Sequence, residues 1–108
     1  MNSVPQITPA ELKTALDGPI PPMLIDVREA FEIEIAAIRP HIAIPMGQIV
    51  ERIAELDRNT ELVIVCHSGM RSAQVTSYLR RQGYERVRNL AGGVDQWARE
   101  VDPAMARY

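Results

Sequence analysis

The chain has 108 residues, of which 46% are hydrophobic and 24% charged, and its formal net charge is −2. These values are typical of an ordinary soluble globular protein, and the length fits one domain over residues 1–108. No basic run and no apolar stretch of membrane-spanning length occurs, so neither nucleic acid nor a membrane is expected as a partner. The N-terminus does not resemble a secretory signal and the single Cys66 has no partner for an intramolecular disulfide, so we expect a cytoplasmic location.

The first half of the chain predicts short strands and helices in alternation. Thr8 is a good N-cap for a helix that ends at Gly18. The apolar run 23–27 is typical of a buried strand, and 42–45 predicts a second strand. Segment 28–38 is ambiguous because its large apolar residues alternate as in a strand, whereas its Glu- and Ala-rich composition favours a helix.

The second half of the chain repeats the alternation more clearly. Apolar spacings of three and four predict a helix over 46–56, and the β-branched run 61–66 predicts a strand that is buried on both faces. A helix over 71–82, a brief strand over 87–90 and a last helix over 92–100 follow. Strands that alternate with helices predict a parallel sheet covered by helices on both faces. In such folds, sites lie at the carboxyl ends of the strands.

Cys66 lies at such an end, where the strand is followed by the loop sequence CHSGMRS. Free cysteines are often buried and inert, so a core position is one interpretation. Gly69 permits a tight loop whose backbone N–H groups point inward, and Arg71 with the start of the next helix adds positive charge. These groups favour a thiolate, which is the nucleophilic form, so the pattern favours a reactive centre.

Three motifs in this order resemble a single-domain rhodanese: LIDVREAFE, a C-x4-R loop after a strand, and GYERVRNLAGGVDQW. The resemblance covers residues 8–97, and the tail VDPAMARY is similar to the end of rhodanese domains fused to enzymes of molybdenum-cofactor and thiamine biosynthesis. It implies an α/β fold, a rhodanese-like three-layer domain with a five-stranded, mainly parallel sheet and helices on both faces. It also implies that residues 29–34 are helical.

The resemblance further implies a sulfurtransferase with Cys66 as its catalytic residue. Cys66 would take a sulfane sulfur from a small donor such as thiosulfate or a persulfide, carry it as a persulfide, and pass it to cyanide, a thiol or a sulfur-carrier protein. Neither a cofactor nor a metal is expected, and the sequence does not indicate the oligomeric state. The expected substrate-binding residues form the loop after the cysteine, namely His67, Ser68, Gly69, Met70, Arg71 and Ser72.

Several of these side chains have a second interpretation. Arg71 attracts an anionic donor or forms a structural ion pair with Asp26 or Glu29. Ser72 donates a hydroxyl hydrogen bond to the sulfur, as Ser68 does, or is a plain helix N-cap. Asp26 and Arg28, after the neighbouring strand, are expected to support the site rather than to react.

Two alternative functions remain at this point. Cdc25-type phosphatases and arsenate reductases share the fold but have a C-x5-R loop, wide enough for a phosphate, whereas four residues separate Cys66 from Arg71. The other alternative is a protein-binding rhodanese-like domain without catalytic activity. One departure from the family pattern is the stretch 36–41, which lacks the usual glycines, so its turn is expected to have a different backbone.

Overall fold

The computed structural model describes residues 4–108, and one five-stranded sheet forms its centre. The elements in chain order are β1 (Gln6–Ile7), α1 (Pro9–Leu16), β2 (Met23–Asp26), α2 (Ala30–Ile35), β3 (Ile42–Ala43), α3 (Ile49–Arg52), β4 (Leu62–Val65), α4 (Met70–Arg81), β5 (Val87–Leu90) and α5 (Gly93–Glu100). Short 3-10 turns flank α3 at Met46–Gln48 and Ile53–Glu55. Within residues 4–108, no helix combines the length and the apolar character that crossing a bilayer requires.

All strand pairs in the described sheet are parallel, and the strand order is β1-β5-β4-β2-β3. β4 is the central strand, and its four residues, all apolar and three of them β-branched, are buried. Its register with β2 places Asp26 beside Val65, one residue before Cys66. The loops after β2 and β4 therefore meet at one edge of the sheet.

The core has two parts, one on each face of the sheet. Side chains of a strand alternate between faces, so Ile64 and Cys66 lie on the face covered by α4, where Val75 and Leu79 pack. Leu24, Val63 and Val65 lie on the opposite face, which α1 and α5 cover. The alternation thus directs the thiol of Cys66 towards the first turn of α4.

The predicted alternation of strands and helices is confirmed, but three elements differ from the sequence prediction in existence, paired length or helix type. β1 was not predicted, because two residues before a helix cap carry no detectable pattern. The strand predicted at 42–45 pairs only over Ile42–Ala43. The helix predicted over 46–56 is one α-turn between two 3-10 turns. The spacing of apolar residues indicates which side of a helical segment is buried. It does not distinguish an α-helix from a 3-10 helix, because a spacing of three or four residues fits both.

The ambiguous segment after β2 is helical, as the resemblance implied. Phe31 and Ile35 are exposed, so their alternation with Ile33 does not reflect a half-buried strand. Glu32 accepts a hydrogen bond from the backbone N–H of Glu29, which stabilises the first turn of α2. In the atypical stretch 36–41 that follows, the Arg39–Pro40 peptide bond is cis.

Candidate active site

The thiol of Cys66 is surrounded by hydrogen-bond donors although it is buried. Its Sγ accepts the backbone N–H of Gly69 at 3.1 Å and that of Ser72 at 3.3 Å, and it lies 3.1 Å from the Ser72 hydroxyl oxygen. The residue is 1% exposed and packs against the core cluster on the α4 face. A cysteine that only fills core space does not require polar groups aimed at its sulfur, whereas these donors favour a negatively charged sulfur.

The shape of the loop depends on two glycines in left-handed conformations. Gly69 has φ 99°, and this places its N–H within reach of Sγ. Gly93 has φ 61° and approaches the carbonyl groups of Cys66 and His67 so closely that a Cβ atom would overlap them. This approach lets the N–H groups of Val94 and Asp95 donate to those two carbonyls, at 2.9 and 3.0 Å. The start of α5 therefore holds the peptide bond beside the thiol.

Further N–H groups of the loop have no acceptor among the described residues. Those of His67, Ser68, Met70 and Arg71 donate no hydrogen bond within residues 4–108. Two of them belong to the first turn of α4, a twelve-residue helix, where backbone N–H groups have no partner inside the helix. Such a run of free donors next to a thiol is suited to an anion, or to a second sulfur atom bound to Sγ.

Arg71 forms an ion pair, but not with the partners that the sequence suggested. Its guanidinium donates to both carboxylate oxygens of Glu32, at 2.7 and 2.9 Å. Asp26 is already bound to Arg28, and Glu32, one turn into α2, faces the loop instead. The Arg71 guanidinium is the main cause that lowers the pKa of Glu32 from 4.5 to about 2, and Glu32 in turn raises the pKa of Arg71.

Asp26 and Arg28 form a buried pair below this contact. The Nε and Nη2 atoms of Arg28 donate to the Asp26 carboxylate at 2.8–3.2 Å. Nη2 also donates to the carbonyl of Ala36 at 2.8 Å, which links the end of β2 to the end of α2. Neither side chain forms a hydrogen bond with Cys66, so the geometry gives the pair a structural role.

Tyr108 contacts three residues around the site. Its ring stacks on the His67 ring with centroids 4.1 Å apart, and its hydroxyl donates to Glu32 at 3.0 Å and accepts from Arg28 at 2.8 Å. Burial is the main cause that raises the pKa of Tyr108, so the hydroxyl stays protonated at neutral pH. His67, expected as a loop residue, is therefore held in place by the C-terminal segment.

The structure brings together some of the residues predicted from sequence and separates others. The side chains of Cys66 and Ser72 meet, and Gly69 is the N-cap of α4, so Ser72 is not the N-cap. The side chains of Ser68 and Met70 are exposed, and neither forms a hydrogen bond with Sγ in the described residues.

Sequence reasoning missed three residues of the site: Glu32, Tyr108 and Asn89, whose amide donates to the carbonyl of Gly69 at 3.2 Å. Each lies outside the cysteine loop in sequence. Glu32 falls within the motif LIDVREAFE, Asn89 within GYERVRNLAGGVDQW, and Tyr108 ends the tail VDPAMARY, but no motif indicates which of its side chains contacts the loop.

A cavity of about 540 Å³ lies away from this site. It is lined by residues of α1, α5 and the segment before β3, among them Leu16, Trp97 and Val101. The strands are parallel and Met23, at the amino end of β2, also lines it, so the cavity opens at the sheet edge opposite Cys66. The candidate chemistry therefore depends on the loop and its N–H groups.

Comparison with known proteins identifies the family of this fold. The family model for the rhodanese-like domain matches residues 8–100. The chain belongs to this family. In Allochromatium vinosum, a protein named sulfurtransferase is 42% identical over 84 residues, which cover 78% of each chain. The crystal structure of a rhodanese-like domain protein from Staphylococcus aureus superposes with a TM-score of 0.83 at 32% identity, over 96% of this chain and 98% of that one.

Another relative is longer than this chain. YrkF of Bacillus subtilis, named for a proposed sulfur-carrier role, is 34% identical over 101 residues, which cover 94% of this chain and 55% of YrkF. The chain thus spans about half the length of that relative. The three-layer rhodanese-like fold expected from the motifs is confirmed by these comparisons and by the five parallel strands.

Proposed function

We propose that the chain is a sulfurtransferase in which Cys66 accepts a sulfane sulfur and carries it as a persulfide. The observation that carries the proposal is the convergence of donors on Sγ, beside further N–H groups that have no acceptor in the described chain. The relative from Allochromatium vinosum that is named sulfurtransferase supports the general activity.

In the first step, the Cys66 thiolate attacks the outer sulfur of a donor such as thiosulfate. A bond forms between Sγ and that sulfur, while the bond to the sulfonate sulfur breaks and sulfite leaves with the electron pair. The bonds from Gly69 and Ser72 stabilise the thiolate. The free N–H groups of the loop are suited to hold the outer sulfur of the persulfide.

In the second step, an acceptor attacks the outer sulfur and Cys66 leaves as a thiolate. Cyanide would depart as thiocyanate, and a thiolate would depart as a persulfide. A sulfur-carrier protein is a further acceptor class, supported by the name of the relative YrkF. Each step is an exchange at sulfur by an anion, so no general base is required.

The length of the loop favours sulfur transfer over phosphate chemistry. Four residues lie between Cys66 and Arg71, and the Arg71 guanidinium is bound to Glu32 at both of its ends. That pair uses two of the five N–H donors of the guanidinium, so the discrimination depends on the loop, which offers fewer backbone N–H groups than a C-x5-R loop. The shorter loop therefore supports a site for a single sulfur atom over one for a phosphoryl group.

Intact-mass spectrometry tests the persulfide directly. We expect the parent protein to gain one sulfur atom after thiosulfate treatment and to lose it when cyanide is added, with release of thiocyanate. The Cys66→Ala variant should gain none. The same two proteins are then assayed for hydrolysis of an aryl phosphate.

Two results would contradict the proposal. One is a parent protein that gains no sulfur from thiosulfate or from a small persulfide donor. The other is aryl-phosphate hydrolysis that Cys66→Ala abolishes while the parent transfers no sulfur, which would assign the site to a phosphatase.

A further inference from the structure

The C-terminal segment returns to the active-site edge of the sheet. After α5 ends, the backbone N–H groups of Val101 and Asp102 donate to the carbonyl of Trp97, and Met105 packs against the core on the α5 face. Arg107 then forms an ion pair with Asp95, at 3.0 Å, near the start of α5. The segment thus runs back along α5 and places Tyr108 beside the Cys66 loop.

Tyr108 lies across what we call the loop mouth, the space between His67 and the Arg71–Glu32 ion pair. Its ring stacks on His67, the first residue after Cys66. Its hydroxyl, at the other end of the side chain, binds Glu32, whose carboxylate holds the last residue of the C-x4-R loop. One side chain therefore joins both ends of the loop that surrounds Sγ.

These contacts require tyrosine in particular. The stacking needs a flat ring, and the hydroxyl acts both as a donor to a carboxylate and as an acceptor from the Arg28 guanidinium. Phenylalanine would retain only the first contact. Tyr108 remains 39% exposed, so the side chain has solvent beside it into which it can turn.

We infer that Tyr108 restricts the loop mouth and so determines the size of the molecules that reach Cys66. The contacts that hold it are one ring stack and two charge-assisted hydrogen bonds, all of which are non-covalent and reversible. Small anions pass beside the ring, whereas a bulky acceptor reaches the sulfur only after Tyr108 turns away. Tyr108 is thus a specificity-determining residue of the site.

The first test uses alkylation of Cys66, the single cysteine, and does not depend on sulfur transfer. Rate constants are measured for iodoacetamide, which is small, and for fluorescein maleimide, which is bulky, and their ratio is compared among variants. In Tyr108→Ala the ratio of bulky to small should rise about tenfold, because the stack and both hydrogen bonds are lost. In Tyr108→Phe, which retains the stack, it should rise less, by about threefold.

The matched control is Phe31→Ala, which removes another exposed aromatic side chain, next to Glu32 on α2. Its ratio should equal that of the parent. Circular dichroism and thermal unfolding verify that each variant is folded. If Tyr108→Ala does not fold, the alkylation ratio of Tyr108→Phe decides the role of Tyr108. An unchanged ratio in the folded Tyr108 variants, or an equal rise in Phe31→Ala, would overturn the inference.

The second test rests on the proposed function. With thiosulfate as donor, Tyr108→Ala should increase turnover with glutathione relative to turnover with cyanide, and Phe31→Ala should not. A parent protein without sulfur transfer would refute the proposed function, while the alkylation ratio would still decide the role of Tyr108. If the parent is active but all variants show its preference for glutathione relative to cyanide, the proposed function stands and only the inference about Tyr108 is refuted.

Discussion

Glu32 and Arg71 lie 39 positions apart in the chain, and the carboxylate of one accepts both Nη groups of the other. The contact joins α2 to the first turn of α4. The Glu32 side chain is only 8% exposed, whereas that of Arg71 is 37% exposed. The buried carboxylate of Glu32 thus holds the side chain of Arg71. The backbone N–H of Arg71 has no acceptor in the described chain.

Replacing Glu32 with Gln should make stability less dependent on pH. In the folded protein the pKa of Glu32 is lowered from 4.5 to about 2, chiefly by the hydrogen bonds from Arg71, so its ionised form stabilises the fold above pH 4.5. This contribution is lost as the pH falls from 4.5 towards 2. At neutral pH, Glu32→Gln should lower the free energy of unfolding by roughly 3 kcal/mol at most.

Urea unfolding of the parent and of Glu32→Gln at a series of pH values measures this difference. The control is Glu34→Gln, which changes an exposed carboxylate on the same helix and should follow the parent at each pH. A difference between the parent and Glu32→Gln that stays constant down to pH 2 would show that the pKa of Glu32 is not lowered in the folded protein.

The hydroxyl of Ser72 should contribute to catalysis through its contact with Sγ. Ser72→Ala removes this group but keeps the backbone N–H that also binds the sulfur. One hydrogen bond to a charged sulfur contributes about 1–2 kcal/mol, but a less stabilised thiolate is also a better nucleophile, so sulfur loading from thiosulfate should slow by only roughly two- to fivefold. Rapid-quench mass spectrometry of the persulfide gives the rate.

Ser77→Ala is the control for this experiment. Ser77 lies on the same helix, and its hydroxyl accepts from Arg81 at 3.0 Å, away from the thiol. The rate of this variant should equal that of the parent. A Ser72→Ala variant that loads sulfur at the parent's rate would show that the two backbone N–H groups suffice.

The cysteine loop could be predicted from sequence because its determinants are local. A β-branched run, a glycine and the start of a helix lie within a dozen residues, and each has a strong backbone preference. These preferences predicted the strand, the loop and α4. They also predicted that Cys66 lies at the carboxyl end of a strand. The short β1 carries no such pattern, and only its pairing with β5 defines it.

The surroundings of the loop could not be predicted, because long-range contacts determine them. Tyr108 reaches Arg28 across 80 positions of the chain, and no periodicity reports such a contact. The choice of Glu32 over Asp26 as the partner of Arg71 depends on the pairing of Asp26 with Arg28. These side chains were identifiable only after the sheet had brought the ends of β2 and β4 together.

Arg28 should be essential to stability, because it is the partner of a buried carboxylate. Arg28→Met keeps much of the side-chain volume but leaves Asp26, which is 1% exposed, without its counter-charge. Removing one member of a buried pair costs roughly 3–5 kcal/mol of unfolding free energy. Chemical denaturation of the purified variant measures this loss.

The same substitution at an exposed pair is the control. Arg52→Met removes an ion pair with Glu55 on the surface, where water screens the charges, so its free energy of unfolding should stay close to that of the parent. Equal losses in the two variants would indicate that Arg28 acts through its packing volume alone. An Arg28→Met variant as stable as the parent would show that Asp26 is satisfied without it.

Gly93 should be the glycine on which the geometry of the thiol loop depends most. A Cβ at this position would overlap the carbonyl groups of Cys66 and His67, and the backbone has φ 61°, which side chains rarely adopt. Gly93→Ala should therefore cost roughly 1–3 kcal/mol in backbone strain and displace the peptide bond beside the thiol. A displacement of about 1 Å would slow sulfur loading by about a hundredfold.

Gly47→Ala provides the matched control, because a Cβ there meets no atom within 4 Å and the residue does not have a positive φ. Thermal unfolding and the rate of sulfur loading are measured for both variants. Gly47→Ala should match the parent in both measurements, whereas Gly93→Ala should lose loading rate by more than its lower stability explains. This additional loss of loading rate indicates that the Cys66–His67 peptide bond is displaced. A variant that is less stable but still folded would otherwise load sulfur at the parent's rate.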